Sequence, residues 1–180
     1  MVTLAPVARR VVPHRLDRSE VLAALADVPD PEIPAVSIVE LGMVGEVEVD
    51  ASGIRVELLP TFVGCPALEV IRDSVARRLA ELGGTVTVVV SFATPWTTDR
   101  ITPAGREKLR ASGFAPPPHV RTGRALPMLE APVGSAPDPV ACPYCGSSNT
   151  TLENVFGPTQ CRSIRHCPDC RQPFEAFKPI

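Results

Sequence analysis

The sequence predicts an α+β fold: a small mixed sheet with packed helices, plus a C-terminal zinc ribbon. Three observations predict it. Apolar residues alternate at strand period on either side of one long helix-period segment. A proline-rich stretch divides the 180-residue chain. Beyond that stretch, four of the six cysteines fall into two CxxC pairs.

The elements follow in order. Residues 1–18 read as a loose leader holding Arg9, Arg10, His14, Arg15 and Arg18. Ser19 is placed to N-cap a short helix running through Leu25, with Val21, Leu22 and Leu25 on one face. Asp30-Pro31-Glu32-Ile33-Pro34 forbids regular structure and predicts a rigid extended turn. Val44, Val47 and Val49, then Ile54, Val56 and Leu58, flank Asp50-Ala51-Ser52-Gly53 and predict a half-buried hairpin. Cys65-Pro66 is expected to start the longest helix, with Leu68, Ile71, Val75, Leu79 and Leu82 on its buried face and Gly83-Gly84 ending it. Val86, Val88, Val90 and Phe92 predict a third strand. A crossover of this kind sets that strand parallel to the second. Thr102-Pro103 opens a last helix and Gly113 closes it. Trp96 is expected to pack at the exit of the third strand rather than bind a ligand. The body thus spans 19–114, a proline-rich linker 115–141 and the tail 142–180.

The tail carries the strongest chemical signal. Cys142-Pro143-Tyr144-Cys145 and Cys167-Pro168-Asp169-Cys170 are two knuckles separated by 21 residues, which a β-hairpin between them can absorb. Each CxxC turn aims two sulfurs at one point, and two turns complete a tetrahedron around zinc. Two redox pairs, or iron or a cluster held by the same thiolates, are the alternatives. So small a tail has too little apolar surface to fold without the metal. Cys161, between the knuckles, reads either as a half-buried small residue or as a functional thiol beside Arg162 and Arg165.

In the body, Cys65 sits where a helix N-cap is expected. Free amides and the helix dipole would lower its thiol pKa there. A reactive or metal-binding thiol and an inert cap are both open. Thr61 and Gly64 precede it, the glycine permitting close approach of a ligand. Asp30 and Glu32 read as a solvated loop, or as carboxylates that meet Cys65 in a shared cleft and help hold a metal. His14, His119 and His166 all lie outside the regular elements of the body, which argues against a Cys-His hydrolase. The formal charge of −2, without a dense basic tract, argues against nucleic acid. No apolar run suits a secretory signal or a membrane span, so a cytoplasmic setting is expected.

Asp30-Pro31-Glu32, Leu41-Gly42-Met43-Val44, Thr61-x-x-Gly64-Cys65-Pro66 and Pro95-Trp96-Thr97-Thr98-Asp99 together resemble the metal-sulfur cluster assembly domain of the SufT and cytosolic iron–sulfur targeting family. With the ribbon, Phe156-Gly157, Thr159, Cys161 and Pro173-Phe174-Glu175-x-Phe177-Lys178, the resemblance narrows to the branch encoded with the phenylacetyl-CoA epoxidase of aerobic phenylacetate degradation. Arg100, where an aromatic is expected, and Pro158, where a small polar residue is expected, depart from the pattern. The resemblance implies a non-catalytic role in maturing or delivering an iron–sulfur cluster to the epoxidase, above all to its reductase. Cys65 would be the functional thiol, with Asp30, Glu32 and Thr61 around it and Cys161 as a second candidate. It implies structural zinc on Cys142, Cys145, Cys167 and Cys170, a transient iron–sulfur cluster as further cofactor, and a homodimer as an option. A structural or docking subunit of the oxygenase is the alternative, and a nucleic-acid-binding ribbon protein ranks below both.

Overall fold

A computed structural model describes residues 16–117 and 140–178. Most of the expected leader and proline-rich linker lies outside these residues. Helix α1 spans Arg18–Leu25, but its N-cap is Asp17 and not Ser19. Asp17 Oδ1 accepts the Ser19 and Glu20 N–H groups, and Glu20 Oε2 accepts the Asp17 N–H at 2.9 Å. That reciprocal capping box satisfies more orphan amides than a serine alone.

Strands β1 (Val44–Asp50) and β2 (Gly53–Leu58) form the expected antiparallel hairpin. The pairing register shifts between Val44 and Val47, which is why those two valines are three residues apart and not two. Helix α2 runs over Leu68–Ala80 and buries Ile71, Val75 and Leu79. It starts three residues after Cys65. The Cys65 N–H bonds the Phe62 carbonyl and the Leu68 N–H bonds the Cys65 carbonyl, so Cys65 lies in a preceding turn and Ala67 takes the cap position. Strand β3 (Val86–Val90) pairs parallel with β2, giving a sheet in the order β1-β2-β3. It stops before Phe92, which is 54% exposed, because the Ala93 N–H turns back onto Ser91 Oγ.

A 3-10 turn at Thr98–Arg100 leads to α3 (Pro103–Ala111), capped by Thr102 Oγ1. Trp96 is buried and its indole N–H donates to the Leu41 carbonyl at 2.9 Å. Arg100, the departure from the family pattern, donates to the Gly42 and Val44 carbonyls and so fixes the segment before β1. Gly42 has φ +69°, and a Cβ there would lie 2.3 Å from the Arg100 carbonyl oxygen; both facts demand glycine.

The main core gathers Val21 and Leu25 from α1, Ile71, Val75 and Leu79 from α2, and Val56 and Leu58 from β2, all essentially inaccessible. Each such side chain contributes roughly 1.5–3 kcal/mol relative to exposure. Among the described residues no helix is long and apolar enough to cross a membrane.

The tail forms a second sheet in the order β4-β7-β6-β5, from β4 (Phe114–Ala115), β5 (Thr151–Asn154), β6 (Arg162–Cys167) and β7 (Gln172–Phe177). Strands β5, β6 and β7 are antiparallel neighbours, whereas β4 pairs parallel with β7. The last residues of the body segment therefore belong to the sheet of the tail. In return, Phe177 from the tail is buried in the main core. The tail's own buried cluster is small: Ala115, Cys142, Cys167, Phe174 and Ala176.

Candidate functional site

Two clusters of thiols stand at opposite ends of the β6–β7 hairpin. At one end, both CxxC segments fold into the same turn. The Gly146 N–H returns to the Cys142 carbonyl and the Arg171 N–H to the Cys167 carbonyl, with Gly146 and Arg171 both at positive φ. The second turn closes the hairpin, since Cys167 pairs with Gln172. Asp169 ties the two knuckles together by accepting from Ser147 Oγ and Asn149 Nδ2.

The four sulfurs lie within 4.8 Å of one another, with Cys142–Cys170 at 3.7 Å and Cys145–Cys167 at 3.6 Å. Four sulfurs tetrahedral about a metal at about 2.3 Å would be about 3.8 Å apart, so the donor set fits a metal ion of that size. Backbone amides of Cys170 and Asp169 bring the Cys167 thiol down to about 7, whereas burial pushes Cys170 up to about 12. Four thiols so close cannot all ionise unless a cation compensates them. Among the described residues, this is the one grouping of three or more His, Cys, Asp or Glu side chains whose ligand atoms converge in this way.

At the other end lies a cleft of about 30 Å³ built by both parts of the chain. The body contributes Asp30, Glu32, Thr61 and Cys65, and the tail contributes Thr159, Gln160, Cys161 and Phe177. Such a volume holds about two water molecules, room enough for a small ion or a sulfur atom. Ile33, Leu41 and Met43 make its floor apolar.

Asp30 belongs to the turn its prolines predict, yet it is only 8% exposed and not solvated. Its Oδ1 accepts the Glu32 and Ile33 N–H groups at 2.9 Å. Burial nonetheless raises its pKa, with those two bonds and Arg162 opposing. Burial also raises Glu32, against the pull of Arg162. Cys65 is half-buried, and burial pushes its thiol up; the Ala67 N–H lowers it less, and Cys161, Glu32 and Asp30 add to the rise. The lowered thiol expected of an N-cap is thus reversed, because the cost of burying a thiolate outweighs the one amide, Ala67 N–H, that the start of the helix turns toward the sulfur. Gly64 lines the same cleft, and only the Phe62 ring, at 3.6 Å, comes near the place a side chain would take.

Cys161 Sγ lies 3.2 Å from Thr159 Oγ1. Of the two arginines expected beside Cys161, Arg162 meets Thr159, the residue that contacts the Cys161 sulfur, and Arg165 lies farther along β6. Arg165 is buried along β6, where desolvation lowers its pKa. Arg162, 5% exposed, reaches Glu32 Oε2 at 3.2 Å, Glu175 Oε2 at 3.0 Å and Thr159 Oγ1 at 2.8 Å, and lies over the Phe114 ring at 5.4 Å. Arg162, Glu175, Thr159 and Phe177 are the site residues that sequence reasoning missed in these roles. Thr159, Glu175 and Phe177 stand in the sequence only as parts of the tail motif and Arg162 only as a neighbour of Cys161, and no local signal gives the Arg162–Glu32 pair, which joins residues 130 positions apart.

Comparison with known proteins matches both parts. Residues 18–92 fit the iron-sulfur cluster assembly protein family, and residues 130–178 fit the PaaD zinc beta ribbon domain. The chain is 40% identical over 162 residues to an Escherichia coli (strain K12) component of the "Putative 1,2-phenylacetyl-CoA epoxidase", covering 89% of this chain and 92% of that one. It is 34% identical over 87 residues to the Bacillus subtilis (strain 168) "Fe-S protein maturation auxiliary factor YitW", covering 47% of this chain and 84% of the relative. Among solved structures, a Bacillus anthracis domain of unknown function, DUF59, aligns at 28% identity with a TM-score of 0.48, over 51% of this chain and 89% of that one.

Proposed function

We propose a function on the premise that the chain belongs to the PaaD family, with an iron–sulfur cluster assembly domain followed by a zinc ribbon. It is an accessory factor that helps assemble or deliver an iron–sulfur cluster to the reductase component of a phenylacetyl-CoA epoxidase, in the cytoplasm. It performs no catalytic step of the ring oxidation. Zinc is held by Cys142, Cys145, Cys167 and Cys170 and supplies the ribbon with folding free energy.

The observation that carries this reading is the joint cleft, in which Cys65 and Cys161 approach from the two parts of the chain beside Asp30, Glu32 and Thr61. Two thiols and two carboxylates around so small a space suit transient contact with iron or sulfur. The Cys65 thiol, held protonated by burial and by its acidic neighbours, would ionise when a cation enters. In Cys65→Ser the chain should keep its zinc and its buried Trp96 emission, while the epoxidase reductase from the same cells lacks iron and sulfide. A fully loaded reductase from those cells would remove Cys65 from this role.

A second reading, a docking component of the oxygenase, draws support from Phe62, which lines the cleft, and its chain neighbour Val63, 38% and 78% exposed. Co-purification with active epoxidase in fixed stoichiometry would favour it.

A further inference from the structure

We propose that metal occupancy of the ribbon gates access to Cys65, with Arg162 as the positioning residue that passes the order of the ribbon on to the cleft. The proposal rests on the reading of the four cysteines as a metal site.

One wall of the cleft is made of ribbon. Thr159, Gln160, Cys161 and Phe177 all lie on or next to the two strands that end at the metal ligands. Strand β6 begins at Arg162 beside the cleft and ends at Cys167; β7 begins two residues after Cys170 and ends at Phe177. At about 3.3 Å per residue the wall stands roughly 17 Å from the ligands, along one continuous hairpin. Apart from the ligands, that hairpin is held by two residues of pairing with β4, by Phe177 in the main core and by Arg162, and by little packing of its own. Its buried cluster has five members, and two of them are the ligands Cys142 and Cys167. Without metal, so small a sheet lacks the apolar burial to remain folded.

Arg162 couples this sheet to the body. Its guanidinium bridges Glu32 of the body and Glu175 of β7, and its Nε holds Thr159, whose hydroxyl meets Cys161. The two carboxylates repel one another across the joint, so the same pair that closes the cleft around the guanidinium would push it open once the cation is withdrawn. The body does not depend on the joint in this way. Of the buried residues of its core only Phe177 comes from the tail, the rest being drawn from the three helices, from β1 and β2 and from the segments between them, and Trp96 is fixed by a body carbonyl. Loss of metal therefore frees the wall and uncovers Cys65, leaving the body standing.

The test is site-resolved alkylation of the full, metal-loaded chain with N-ethylmaleimide, read by mass spectrometry of each cysteine peptide, with Trp96 emission as the reporter of the body. In the loaded protein Cys65 should label slowly. Chelation should release the metal, expose the ribbon cysteines and raise the Cys65 rate by roughly tenfold or more, as local opening requires. Arg162→Ala should raise the Cys65 rate several-fold while the metal stays bound and the four ligands stay protected. A role confined to ribbon stability would expose all of them together. If metal leaves, the ribbon cysteines label and Cys65 does not change, the gate is wrong and the metal site stands. If the purified chain holds no metal and all six cysteines label freely before any chelator, the metal reading itself fails and takes the gate with it. Should chelation shift Trp96 emission, the Arg162→Ala comparison decides alone: an unchanged Cys65 rate there overturns the proposal.

Discussion

The body and the ribbon are folded by different physics. In the body, side chains from three helices, two strands and the segments between them exclude water from a common interior, and no single group dominates. In the ribbon, two of the five buried residues are themselves metal ligands, so removal of one ligand takes away packing and coordination at once. A region held by many small contributions tolerates local damage, whereas a region held by one tetrahedron does not.

The sharpest way to break this contrast is Cys167→Ser. It should abolish most of the roughly 10 kcal/mol or more that a structural zinc contributes, so zinc analysis finds none, while Trp96 emission still reports a folded body. Retained zinc with a native ribbon spectrum would show that the tail does not need its fourth thiolate. Next in size is Leu79→Ala, at the inaccessible centre of the body. It should cost about 2–5 kcal/mol in urea unfolding followed at Trp96, without loss of zinc from the folded protein. A cost below about 1 kcal/mol would mean that α2 is not packed as described.

Arg162→Ala acts at the joint and should cost about 1–3 kcal/mol, less than a fully buried ion pair, because the Glu32 and Glu175 side chains remain 30% and 26% exposed. Denaturation in parallel with the Leu79 variant measures it. Acid provides the smallest effect, and it separates the regions by sign. Asp30 and Glu32 carry folded pKa values raised above 3.8 and 4.5, so between each pair of values the folded chain binds more protons than the unfolded one. Their burial is a cost at neutral pH that is relieved as pH falls through the raised values. The body of the wild type should therefore gain stability relative to Asp30→Asn/Glu32→Gln as pH drops toward about 4. The ribbon should lose zinc over the same descent, as protons compete for its thiolates. A gap between wild type and double variant that does not change with pH would rule out the burial of these carboxylates.

Much of this is legible in the sequence, and what is not has a common cause. The hairpin, the parallel third strand, the long helix and the paired knuckles announce themselves through spacing within a few residues, which is the range over which periodicity and turn chemistry speak. Asp17 is easily passed over as a cap because Ser19 stands nearer the apolar run, although Glu20 three residues on completes its box. The setting of Cys65 is misleading because Pro66 looks like the first residue of a helix that in fact waits until Leu68. Nothing local announces that Phe114 and Ala115 join the far sheet, that Phe177 returns to the core, or that Arg162 bridges to Glu32. Those contacts are made between distant segments, and short motifs carry no record of them. The candidate residues can thus be named one by one from their motifs, while the cleft they share comes from the docking of the two parts.

The parallel pairing of β4 with β7 bears on how such a chain can be cut and rejoined. Severed before Val140, the tail would lose the strand that covers one edge of its sheet; severed after Pro117, the body would keep β4 with nothing to pair it and a socket where Phe177 had been. Neither half is a portable cassette. A fusion that moves this ribbon to another protein must carry Phe114 and Ala115 with it, and a shortened body must grow a new lid or leave Cys65 open to whatever protein it meets next.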